Sequence, residues 1–145
     1  MNGLGGLGGL GTGQVVSEVS FAAIAGVAVG AASGAWLRWA LSLLLNPAHP
    51  HFPAGTWVAN LIGGLLIGVA LAWFARHPEV DAAWRLTAVT GFLGALTTFS
   101  TFSIESLLLL QKGQFAWAFL HSAAHLFGSL AAAAVGYRMA ALPGQ

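Results

Sequence analysis

From Val19 onward the chain alternates long apolar runs with short polar interruptions. Four runs stand out, from about Val19 to Leu45, Thr56 to Ala75, Trp84 to Leu110 and Phe115 to Ala141. Each is near the roughly 20 residues that cross about 30 Å of hydrocarbon at 1.5 Å of rise per residue. The first run ends at NPAHPHFPAG, whose three prolines cannot continue a helix. RHPEVDAA stops the second and QKGQ the third. The pattern predicts an all-α integral membrane unit over residues 19–141, flanked by segments 1–18 and 142–145. The first 13 residues, MNGLGGLGGLGTG, have no apolar face to bury and lose much backbone entropy on ordering, so a mobile Gly-Leu tail is expected. That lead holds no Lys or Arg and no compact apolar core of signal length, so the tail is expected to be retained.

Composition sharpens this picture. Of 145 residues, 57% are hydrophobic and only 6% charged, against roughly 25% charged in soluble domains. There is no cysteine, hence no disulfide framework, thiolate nucleophile or cysteine-held metal. A net charge of +1, with five scattered Lys and Arg, offers no basic stripe for nucleic acid. No nucleotide-binding motif or pair of catalytic groups is visible, so no enzyme is expected.

An even number of spans puts both termini on one side. Arg76, Arg85 and Arg138 then face Lys112, with Arg38 nearer that second side. Three against two scarcely biases insertion. Both a single orientation and a pair of oppositely oriented copies about a two-fold axis in the membrane plane remain open.

Glycine spacing describes how the spans meet. Gly26, Gly30 and Gly34 recur every fourth residue in the first run, and Gly64 and Gly68 in the second. Such rows let backbones approach closely, because lipid offers no hydrophobic drive between helices. One step back from Gly64 on the same face lies Asn60, which should therefore face protein. It acts there either as glue between helices or as a donor to something that passes.

Other polar groups sit at membrane depth. Arg38, beside Trp36 and Trp39, suits either snorkelling to the headgroups or attraction of anions at a pore mouth. Glu105 is either a carboxylate bonded by nearby hydroxyls or the proton carrier of a small exporter. His121, His125 and Ser129 recur every four residues along the fourth run, a polar line facing either a water-filled path or a neighbouring helix. Two histidines at that spacing bind zinc only with a third ligand, and no Asp or Glu lies on that run, so no metal is expected there. His49, His51 and His77 lie in loops and are expected to face water.

TGFLGALTTFSTFS, residues 90–103, sits in the third run, yet more than half of it is Gly, Thr or Ser. These residues weaken a helix, and a break is expected near Gly94 to Thr98. Backbone freed in hydrocarbon must be buried in protein, where its carbonyls are ready ligands for a hard cation such as Na⁺. One chain supplies too few oxygens, and two chains meeting on an axis would double them. Phe99 and Phe102, one turn apart, are either packing or a pair of ring edges favourable to a small anion. Thr98, Ser100, Thr101 and Ser103 add hydroxyl donors beside them.

GFLGALTTFSTFSIE, with GTWVANLIGGLLIG (residues 55–68) and GAWLRW (residues 34–39), closely resembles the Fluc/CrcB family of microbial fluoride channels. The resemblance runs from about Phe21 to Arg138. It implies an antiparallel, dual-topology homodimer with two fluoride pores and a central structural Na⁺ that is not transported. It assigns the Na⁺ carbonyls to Gly94 and Thr97, the pore phenylalanines to Phe99 and Phe102, and the donor amide to Asn60. The polar track of the last helix falls on His121, His125 and Ser129. This chain departs there, with histidine where tyrosine or serine is expected, and it carries Ala95 where the motif commonly has glycine. The resemblance implies passive fluoride export across the cell (inner) membrane. The rival readings are a dual-topology proton-coupled exporter using Glu105 and a structural membrane protein held by its glycine faces.

Overall fold

The computed structural model describes residues 20–48 and 52–141, entirely helical with short connections. The tail 1–18, His49, His51 and segment 142–145 lie outside the described residues. Helix α1 spans Phe21–Leu45 and begins where Ser20 Oγ accepts the Ala23 N–H at 3.1 Å, satisfying a donor that the first turn leaves free. A single tight turn, Asn46–Ala48, follows it. Helix α2 covers Ala54–Arg76. Asn46 Oδ1 accepts the Gly55 N–H at 2.8 Å and ties the loop to the start of α2.

The third apolar run folds irregularly. Helix α3, Ala82–Arg85, widens into a π-wound segment at Leu86–Leu93, then tightens into the single turn α4, Gly94–Leu96. Thr97 and Thr98 are extended, and helix α5 then runs through Phe99–Gln111. Helix α6, Phe115–Ala141, completes the chain. Gly113, at φ 70° with nothing within 4 Å of where a Cβ would be, makes the turn between α5 and α6.

By length and composition, four stretches can each cross a membrane: Phe21–Leu45, Ala54–Arg76, Ala82–Gln111 and Phe115–Ala141. This is a multi-pass membrane protein.

Two close pairings organise these spans, α2 against α6 and α1 against the π-wound segment. A Cβ on Gly64 would stand 2.7 Å from the Ser129 carbonyl oxygen, and one on Gly136 would run into that of Leu65. Glycine on both helices is thus what lets α2 and α6 lie backbone to backbone. On α1, Cβ atoms at Gly30 and Gly34 would strike the Thr87 and Phe92 carbonyls, so the glycine row read from sequence is a seat for the π-wound segment. Among the described residues the sealed apolar cluster is Ala59, Leu93 and Leu96, while rings such as Phe99, Phe119 and Phe127 are exposed.

One end of the bundle gathers three arginines. Arg76 donates to the Ala140 carbonyl, and Arg85 binds the Val80, His77 and Pro78 carbonyls. Arg138 lies in the last turn of α6 at that end. His77 is here too, in the connection just past α2 and half-buried. Its ring stacks on Trp73 at 4.4 Å and its Nδ1 lies 2.8 Å from the Trp73 carbonyl, because the residue closes α2 and folds back over its last turn.

Candidate functional site

The site grows from the two extended residues. In an unbroken helix the Thr98 N–H would bond the Gly94 carbonyl and the Thr101 N–H that of Thr97. Here the Thr98 N–H goes to Asn60 Oδ1 at 2.8 Å, and the Thr101 N–H to Thr98 Oγ1 at 3.1 Å. Asn60 also donates from Nδ2 to the Thr98 carbonyl at 3.1 Å, so one amide on α2 holds both backbone groups of Thr98. Thr98 in turn caps α5. The Gly94 and Thr97 carbonyls are thereby released from their regular helical donors. The Ala95 carbonyl between them receives Arg38 Nε at 3.0 Å. Arg38 was expected at headgroup level or at a pore mouth; its guanidinium reaches the irregular segment from α1.

From Asn60 the polar line continues across α6. Its Nδ2 lies 3.0 Å from His125 Nδ1. Because Oδ1 already accepts the Thr98 N–H, the group facing His125 is a donor, and the neutral imidazole then carries its proton on Nε2. His121, one turn earlier, packs at 4.5 Å from His125 and is fully buried. Its Nδ1 lies 3.0 Å from Ser106 Oγ, and its Nε2 3.3 Å from Glu105 Oε2. Glu105 Oε1 accepts from Thr56 Oγ1 at 2.6 Å. Phe52 closes over His121 with an edge-to-face contact at 5.6 Å.

Phe102 joins the two parts. One face stacks on His121 at 5.5 Å and 18°, and the ring meets Phe99 at 5.3 Å and His125 at 4.9 Å. Asn60, Thr98, Phe99, Phe102, His125 and Ser129 all line one apolar groove of about 610 Å³. Of the hydroxyls, Ser103 turns back to the Phe99 carbonyl at 2.8 Å, and Thr101 Oγ1 accepts from Thr98 Oγ1 at 3.0 Å.

Residues 25–137 match the family described as "CrcB-like protein, Camphor Resistance (CrcB)". The chain belongs to the CrcB family. That match takes in every residue of the groove. This CrcB chain is 55% identical over 118 residues to the "Fluoride-specific ion channel FluC" of Cupriavidus pinatubonensis, covering 79% of this chain and 94% of that protein. Proteins of the same name from Aromatoleum aromaticum (56% over 111 residues, 77% of this chain and 85% of that one) and Ralstonia nicotianae (58% over 104 residues, 72% and 82%) are similar to it as well. These relatives are named as ion channels and not as enzymes.

Sequence reasoning missed three members of the CrcB site. Thr56 was passed over although it is fully buried and holds Glu105. Ser106 lies three residues past the quoted hydroxyls and carried no separate signal. The third member is a junction: Glu105 was read alone, and its meeting with His121 depends on how α5 packs on α6. The one clue was register, since Glu105 follows Phe102 by three residues and so shares its face.

Proposed function

We propose that this protein is a fluoride-selective channel that lets the ion leave the cell passively, two pores to an antiparallel, dual-topology homodimer in the cell (inner) membrane. The observation that carries this reading is the Asn60–Thr98 clamp, which opens one span at mid-depth and leaves donors and ring rims on one groove. The extended pair acts as the break of a broken third helix. Fluoride, a small ion with tightly held water, needs donors in return for that water. The path in this reading runs along Asn60, Thr101, Ser103, His125 and Ser129; His125 Nε2–H and the Thr101 and Ser129 hydroxyls are its donors, Asn60 and Ser103 serve it only by turning from their present acceptors, and the rims of Phe99 and Phe102 supply the partial positive charge between them. Arg38 adds a cation near the path.

A membrane potential of about 100 mV, negative inside, favours expelling one anion by about 2.3 kcal/mol, so export needs no pump. The resident cation is Na⁺, held by the Gly94 and Thr97 carbonyls. The residues suit it, because those oxygens have lost their helical donors and are hard ligands, and a second copy doubles their number. Bound there, Na⁺ would supply fixed positive charge at the dimer centre.

The proton-coupled exporter keeps one observation in its favour, the contact of Glu105 with His121. Fluoride efflux from proteoliposomes, with valinomycin and a potassium gradient setting the voltage, separates the two. The channel gives fast, voltage-driven fluoride loss and little chloride movement; slow, saturating, proton-dependent exchange abolished by Glu105→Gln would replace it with the exporter.

A further inference from the structure

We propose that Glu105, His121 and His125 form a binding site for a divalent first-row transition ion, Zn²⁺ by its donor set, one per chain. The sequence argued against zinc because α6 has no carboxylate; packing brings one from α5. Each of the three residues offers a ligand atom, and these atoms lie within 4.8 Å of one another. Glu105 Oε2, His121 Nε2 and His125 Nε2 are all buried without a hydrogen-bond partner. Glu105 Oε2 and His121 Nε2 face each other at 3.3 Å while His125 Nε2 is left alone, and since polar atoms at such depth are costly to leave without hydrogen bonds, one shared ligand would serve all three.

The geometry agrees. His121 Nε2 and Glu105 Oε2, 3.3 Å apart, match the roughly 3.4 Å edge of a tetrahedron with zinc bonds of about 2.0–2.1 Å. The far atom of each is already held, Glu105 Oε1 by Thr56 and His121 Nδ1 beside Ser106, which fixes their orientation as outer partners of metal ligands do. Two imidazoles and one carboxylate, with a fourth position open, favour Zn²⁺ over Mg²⁺ or Ca²⁺.

His125 sets a condition. Coordination through Nε2 moves its proton to Nδ1, and Asn60 Nδ2 must then release the ring. Metal binding and the Asn60–His125 contact therefore exclude one another. The site itself does not depend on the fluoride reading. Its consequence does: a dication lodged against Phe102 stops anion flux.

The test is calorimetric titration of Zn²⁺ into the full chain purified in detergent, with the visible spectrum of the Co²⁺-loaded protein beside it. The expected result is one Zn²⁺ per chain, weakened by more than about 10-fold in Glu105→Gln and His121→Gln, since even an outer partner of a ligand is worth that much. A variant with His49, His51 and His77 all changed to Gln keeps its affinity. Co²⁺ gives the intense bands of a four-coordinate site in wild type; if the single variants fail to elute as folded protein, that spectrum decides. Absence of binding, or binding lost only in the triple variant, overturns the site. Zn²⁺ that binds at the site yet leaves fluoride efflux unchanged supports the metal site and removes these residues from the conduction path.

Discussion

Asn60 is the residue on which most of the polar structure turns. Its amide serves Thr98 on both sides and His125 as well, so Asn60→Ala leaves the part-buried Thr98 N–H without its partner, at about 1–3 kcal/mol. The expected outcome is a clear fall in thermal stability in detergent together with lost flux. Asn60→Asp keeps the acceptor but sets a carboxylate against the Thr98 carbonyl and beside an anion path, and should lose flux more than stability. Fluoride efflux and melting temperature, measured on both variants, separate clamp from path. Phe102→Ile removes the ring that joins Phe99 to the two histidines. Flux should drop roughly tenfold or more, the effect of about 1.4 kcal/mol at the barrier. Normal efflux from folded Phe102→Ile would return the ring to packing.

At the scale of elements, the glycines divide by what they do. Gly64 and Gly136 permit a backbone contact, and Gly64→Leu should push α2 from α6 and cost several kcal/mol of the roughly 5–15 kcal/mol by which domains are stable. Gly113 serves a left-handed turn in open space, so Gly113→Ala should cost only about 1–2 kcal/mol. Gly94 is different again. Its backbone is helical, and an added Cβ would meet only the Val89 oxygen, at 3.6 Å. Within one chain Gly94→Ala should be neutral or stabilise by up to about 1 kcal/mol. A large loss of melting temperature in Gly94→Ala would mean that another copy occupies the space beside it, which ties this element to assembly.

For the whole molecule, the exposed groove wall is informative. Phe99 is 79% exposed in the single chain although it adjoins the most polar part of the interior. If the proposed dimer forms through this face, the partner covers it. Cross-linking in membranes should give a two-chain species, and cysteines introduced near Lys112 should be labelled from both sides of the membrane if the orientations are mixed. Exchanging Na⁺ for a large organic cation should lower the melting temperature of the dimer if Gly94 and Thr97 hold the ion, and leave it unchanged if they do not.

The four spans were legible in the sequence because their signal is local: hydrocarbon sets one length, and prolines and polar clusters end each run. The glycine faces were legible for the same reason, as a four-residue step needs no knowledge of the partner. Asn60 could be placed facing protein, yet its clamp on Thr98 lies 38 residues away and is a matter of packing. The π-wound stretch left no mark in sequence beyond weak helix formers, since it is settled by how α1 and Leu86–Leu93 meet. Glu105 and His121, read as separate residues with separate alternatives, became one cluster only when α5 packed on α6. Period and composition determine what each segment is; which side chains share a buried space is decided by the angle and register at which helices close, and those depend on the whole chain.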